Sequence, residues 1–215
     1  MSRMMLRARS WGAGMALLLA LALGASVPAI PQEASGPVYN VEIIVLRATT
    51  AEGGPENWSE EAGARSVIAG EESTSGSLQV GRFVALLPPS AYQLNELESR
   101  LRASSTWQPV AHVAWSQTAS TWGTRAGFPL SRLGVEVPGL SGTVFLEHGQ
   151  FLHLGLALNW AMENPPDGLG AGPGTQFTLN ETRRVRFYER NYYDHPAFGV
   201  IAMVSPAQGP RAPGR

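Results

Sequence analysis

Residues Glu181 to Val200 read ETRRVRFYERNYYDHPAFGV and hold the densest set of groups in the chain that could do chemistry. Arg183, Arg184 and Arg186 stand beside Tyr188, Tyr192 and Tyr193, and Asp194 and His195 precede Pro196. If Thr178 to Arg186 is one strand, alternation puts Arg184 and Arg186 on one face and Arg183 with Glu181 on the other. A guanidinium fork grips a carboxylate in bidentate fashion, and a phenol ring stacks on the apolar side of a pyranose. On that reading Arg183, Arg184, Arg186, Tyr188, Tyr192, Tyr193 and His195 contact a polymer bearing carboxylates and sugar rings. On the other, the arginines are solvated, lie over apolar neighbours, or pair with Glu181, Glu189 and Asp194.

Catalytic arrangements find little support. The four histidines, His112, His148, His153 and His195, do not fall at zinc-ligand spacings, and neither HExxH nor CxxC occurs, so no metal site is expected. Asp194 and His195 are adjacent, which rarely allows the carboxylate to orient the imidazole as in a nucleophilic triad, and no serine sits on a G-x-S-x-G turn. Asp194-His195-Pro196 reads instead as a turn. Glu147 and Glu181 are not paired by sequence with a second carboxylate for glycan cleavage. No cofactor motif is recognised, and the expectation is a protein that is not an enzyme.

The elements that must carry these residues follow from periodicity. Val38 to Leu46 alternates and becomes apolar on both faces towards its end, as a buried strand does. Pro88-Pro89, Ser90 as N-cap and Gln93 three residues on announce a helix with Leu94, Leu97 and Leu101 on one stripe and Glu96–Arg100 and Glu98–Arg102 pairs on the wet side. QPVAHVAWSQ alternates. GTVFLEHGQFLHLGLALNW reads as a hairpin turning at His148-Gly149, which would set His153 opposite Val144. In its return strand Leu152, Leu154, Leu156, Leu158 and Trp160 share a face. Phe177, Leu179 and Val185 share a parity, and FGVIAMVS supplies a last strand. The expected fold is α+β, a mostly antiparallel sheet of about six strands with one main packing helix, in a single domain over 37–205. Long loops are expected at 49–80 and 162–175, and a disordered Pro/Gly tail at 206–215. Trp58, isolated in the polar GGPENW loop, is either a latch onto the body or an exposed partner contact.

The beginning of the chain speaks to location. Arg3, Arg7 and Arg9, an apolar run from Trp11 to Leu23 and small residues up to Ala29 have the form of a secretory signal peptide over 1–29, too short for a comfortable membrane span. Its removal would take the formal charge from −1 to about −4, which argues against a nucleic-acid partner. The chain has no cysteine, so packing alone must stabilise it, and it has no lysine, so every basic side chain is an arginine fork. In the bacterial envelope, the polymer that carries both sugar rings and carboxylates is peptidoglycan.

The order of several segments adds to this. YNVEIIVLRA, GGPENW, a Leu-rich helix, PVAHVAWSQ, FLHLGLALNW and the closing LNETRRVRFYERNYYDHPAFGVIAMVSP together resemble the CsiV family of periplasmic peptidoglycan-binding proteins of Gram-negative bacteria. The chain departs from the family's usual run before Asp-His-Pro at Phe187, Tyr188 and Asn191. The resemblance implies a non-enzymatic role in the periplasm: binding peptidoglycan and supporting its assembly, with an outer-membrane lipoprotein that activates a bifunctional penicillin-binding synthase. It also singles out Trp115, Gln117, His153, Arg183, Arg184, Tyr193, Asp194, His195 and Pro196 as matched positions. The alternative is an envelope protein–protein interaction module that uses Trp58 and does not touch glycan.

Overall fold

Strand β1, Val38–Ala48, lies in the middle of the first sheet, and its residues are buried on both faces beyond Asn40. This computed structural model describes residues 36–50 and 81–207, all within the unit Ala34–Arg215. Tyr39, Val41, Ile43 and Val45 point into the main core, while Ile44 and Leu46 point the other way into a smaller cluster with Leu94 and Met203. A strand apolar on both sides needs a layer on each side.

The first sheet runs β2 (Phe83–Leu86), β3 (Trp107–Thr118), β1, β10 (Phe198–Pro206) and β9 (Asn191–His195), with every neighbouring pair antiparallel. The second runs β4 (Ser120–Thr121), β6 (Leu140–His148), β7 (Leu152–Met162) and β8 (Thr175–Arg184), with β5 (Phe128–Pro129) also on β6 and only β4–β6 parallel. Leu154, Leu156, Leu158 and Trp160 of β7 face the first sheet, where Trp160 meets Phe198 edge-on with ring centroids 5.6 Å apart. Burying each such side chain contributes about 1.5–3 kcal/mol, so this shared face is the main source of stability in a chain with no disulfide.

Helix α1, Asn95–Arg102, closes the other side of the first sheet, with Leu94, Leu97 and Leu101 packed against Ile44, Leu46 and Trp107. The Glu96–Arg100 and Glu98–Arg102 pairs form as expected. The helix start differs. Residues Pro89–Ala91 make a 3-10 turn, and no side chain of the expected capping box caps the helix. Buried Glu42 of β1 does it instead, accepting the Gln93 and Leu94 N–H groups at 2.8 Å each. A carboxylate from another element satisfies these donors and complements the positive end of the helix, an arrangement that no local pattern encodes.

The same carboxylate holds His112 of β3. Its Nε2 lies 2.7 Å from Glu42 and its Nδ1 2.8 Å from Glu98, tying strand, strand and helix together. Burial disfavours the imidazolium, but the two carboxylates outweigh it and the His112 pKa is raised. Burial likewise opposes ionised Glu98, but His112 and Arg102 lower its pKa below the usual value. The His112 contribution is therefore complete below its ordinary value of 6.5 and is lost as pH rises through the raised folded value. Buried His195 is shifted down and works in the opposite sense, so the His112 part must be isolated by difference. The melting-temperature gap between the protein and His112→Gln should shrink from about pH 6 to about pH 9; a constant gap contradicts the assignment.

Several sequence expectations are corrected. Among the described residues ten strands in two sheets replace about six in one, because β4 and β5 are two-residue segments and β2 is too short to show a period. The β6–β7 connection is not a two-residue turn at His148-Gly149. His148 pairs with Leu152, residues 149–151 make the turn, and His153 faces Glu147 rather than Val144. β8 stops at Arg184, so Arg186 lies beyond the strand. Asp194 and His195 belong to β9, and the turn is Pro196-Ala197, closed by the Ala197 N–H donating to His195 Nδ1 at 3.1 Å. The expected signal peptide over 1–29, most of the expected loop at 49–80 and the end of the expected tail lie outside the described residues. Among those described, no helix is long and apolar enough to cross a membrane.

Candidate functional site

The outer face of the second sheet presents side chains in rows set by the register. Glu147, His153 and Arg184 stand side by side across β6, β7 and β8. The next row is Phe145, Gly155 and Thr182. A Cβ at position 155 would come within 2.1 Å of the Phe145 ring, so only glycine leaves room for that ring to lie across the strand. Along the same face Thr178 donates to Asn159 at 2.8 Å, and the surface is polar there.

At the end of this face the first row meets two exposed aromatic rings. Trp122, 52% exposed, stacks on His153 with ring centroids 4.0 Å apart. Phe151, at the tip of the hairpin and 38% exposed, lies under the Arg184 guanidinium, whose Cζ is 3.4 Å from the ring centroid. No ion pair engages Arg184 among the described residues. Its guanidinium lies against the ring, and its donors have no partner among the described residues.

The Trp122 loop is held rigidly from beneath. The Trp122 N–H donates to the His148 carbonyl at 3.2 Å. Glu147, only 2% exposed, accepts the N–H of Arg125, whose φ of 50° bends the chain back over Phe145. Gly149 lets the indole settle on the hairpin, since a Cβ there would stand 3.0 Å from the Trp122 Cβ. His153 is oriented by its own turn, with Nδ1 donating to the Phe151 carbonyl at 3.2 Å. The result is a fixed patch of two aromatic faces, an imidazole and a guanidinium, suited to a sugar ring beside a carboxylate.

The sequence-expected contact set does not share one surface. Arg184 is on this patch. Arg183 is on the opposite side of β8, paired with Glu181 and stacked over Tyr193 at 5.4 Å. Tyr193 is fully buried, donating from its hydroxyl to the Leu154 carbonyl at 2.9 Å; burial foremost raises its pKa. His195 is 7% exposed between Phe177 and Phe198, and burial lowers its pKa, keeping the ring neutral. Tyr192 turns to the helix side of the first sheet against Trp107, where burial and the Asp194 charge raise its pKa. Arg186 and Tyr188 are exposed in the bend after β8. Trp58 lies outside the described residues.

The reason for this scatter is geometric: consecutive strand residues diverge by a half-turn, and Tyr192 and Tyr193 belong to a different sheet from Arg184. Tyr193→Phe should therefore lower stability by about 1 kcal/mol through the lost hydrogen bond and leave any wall binding unchanged. Thermal melts alongside a binding assay check this, and weakened binding at unchanged stability would contradict it.

Trp122 and Phe151 were not singled out from the sequence. Trp122 sits in a loop with no periodicity, and Phe151 reads as part of a strand when the turn is placed at His148-Gly149.

A two-sheet scaffold with a rigid aromatic and guanidinium patch on an outer face has the makings of a binding protein for acidic saccharides. A family model described as "Peptidoglycan-binding protein, CsiV" matches residues 14–207, and the chain belongs to that family. No curated protein and no solved structure matches it.

Proposed function

We propose that this protein grips peptidoglycan in the periplasm without cleaving it, through the patch formed by Trp122, Phe151, His153 and Arg184, and so supports assembly of the wall. Membership of the peptidoglycan-binding family supports the ligand class. The observation that carries the choice of surface is the Arg184 guanidinium stacked on Phe151 in the same row as the Trp122–His153 pair. Stem-peptide carboxylates suit the fork, and the glycan backbone suits the rings.

One feature supports a holding role over a hydrolytic one. Glu147, the carboxylate of this row, is buried and engaged by the Arg125 backbone. An outer-membrane lipoprotein that activates a penicillin-binding synthase is the partner this role would serve.

Co-sedimentation of the protein with purified sacculi tests the reading. Pelleting that saturates and weakens with added salt is expected, since a solvent-exposed guanidinium–carboxylate pair is screened. Pelleting no greater than that of an unrelated acidic protein would overturn it. Muropeptide profiles after long incubation should be unchanged, and new fragments would overturn the non-catalytic part.

A further inference from the structure

On the opposite side of the molecule, the helix side of the first sheet, residues Ser116, Asn40 and Ser205 form one row across β3, β1 and β10. Above this row opens a cavity of about 420 Å³, reached between the 3-10 turn before α1 and the bend after β8. Nothing in the patch around Trp122 touches it.

The polar groups of this cavity are neutral and only partly engaged. Ser116 donates to Asn40 Oδ1 at 2.7 Å, which fixes the amide and leaves Nδ2 with no partner among the described residues. Gln93 Nε2 lies 3.1 Å from Ser205 Oγ, which fixes the second amide and leaves its Oε1 as an acceptor. Gln93 is itself placed by the Glu42 carboxylate on its backbone N–H. The cavity thus holds one oriented amide donor and one oriented amide acceptor. The complement of that pair is a group offering both a carbonyl and an N–H, which is a secondary amide.

The remaining lining says what flanks the amide. Leu87, Ala91 and Pro206 are small or apolar and suit a methyl group. Tyr188 stands at the rim, 61% exposed, on a backbone at φ 63°, a left-handed conformation that costs about 1 kcal/mol for a non-glycine residue. Its N–H donates to the Val204 carbonyl at 2.9 Å, which anchors the bend. Strain retained at an exposed tyrosine, where a glycine would relieve it, fits a ring that is held out to meet a ligand.

We infer that this cavity is a second binding site, separate from the Trp122 patch, for a methyl-bearing secondary amide with Asn40 as donor, Gln93 as acceptor and Tyr188 packed over it. The choice of probes rests on the peptidoglycan reading, because that polymer carries such amides both as the acetamido groups of its sugars and as the alanyl bonds of its peptides. Sites on opposite outer faces would let one molecule hold two chains of the polymer at once.

The test is a titration of the isotope-labelled protein, observed by NMR, with N,N′-diacetylchitobiose in one arm and N-acetyl-alanyl-alanine amide in the other. Shifts of the Asn40 and Gln93 side-chain amides with either probe are expected. The arm that gives them identifies the sugar or the peptide as the source of the amide. Asn40→Asp, which keeps the acceptor for Ser116 and removes the donor, should weaken binding about tenfold, and the surface change Tyr188→Ala, which removes the ring, about threefold. Trp122→Ala should leave these shifts intact, so that loss of wall binding at the patch and loss of amide binding here are read separately. Absence of shifts with both probes, or titration curves unchanged by Asn40→Asp in a folded protein, would overturn the inference.

Discussion

Glu42→Ala is expected to lower the melting temperature by about 10 °C, corresponding to about 3 kcal/mol in a domain of this size. Two losses combine in it. The Gln93 and Leu94 N–H groups lose their only side-chain acceptor at the start of α1, and Leu94 is 1% exposed, so water has poor access to replace it. His112 also loses one of the two carboxylates that hold its charge, and its side chain is 6% exposed. Glu42→Gln retains one acceptor for the helix but removes the charge facing His112, so it should fall between the two, and its deficit should narrow as pH rises and the imidazole gives up its proton. Melts followed by circular dichroism check both variants. A drop of less than about 2 °C for Glu42→Ala would show that this carboxylate is not what fastens the helix to the sheet.

Trp122→Ala combined with Arg184→Glu is expected to reduce affinity for sacculi by roughly a hundredfold. Reversing the charge removes a bidentate grip on a carboxylate, about 1.5–3 kcal/mol, and adds repulsion. Removing the indole takes away a stacking surface of which half is open to solvent. Both side chains are exposed, so stability should change by under about 1 kcal/mol. Arg186→Glu alone should weaken binding only modestly, because Arg186 lies past the end of β8 and outside the stacked row. Equal effects of Arg186→Glu and Arg184→Glu would return the site to the linear basic run and away from the patch.

What could be read from the sequence depended on whether the determining contacts were local. The period of β7, with Leu152 through Trp160 all inward, is a property of the strand itself, and the structure agrees. The same holds for the Leu stripe of α1 and its two i, i+4 ion pairs. The helix cap was not legible because its carboxylate comes from a strand about fifty residues earlier. The turn after β6 was misplaced because the period of β7 does not fix its partner's register: a two-residue turn would set Leu152 opposite Phe145, whereas the three-residue turn brings Val144 and Leu146 inward and lets Phe145 lie over Gly155. At the site, composition pointed to arginine and aromatic chemistry, and Arg184 belongs to the resulting patch. The aromatic rings of that patch, however, are Phe151 and Trp122 from other segments, whereas Tyr193 serves the core and Tyr192 the helix face.

Photo-cross-linking is the most direct measurement of which surface meets the wall. With p-benzoylphenylalanine in place of Phe151, irradiation in the presence of labelled sacculi should attach wall material to the protein, while the same group in place of exposed Ala103, at the far end of α1 and lining neither the patch nor the cavity, should attach little. Cross-linking from the Ala103 position with none from Phe151 would contradict the assignment of the outer face of the second sheet as the wall-binding surface.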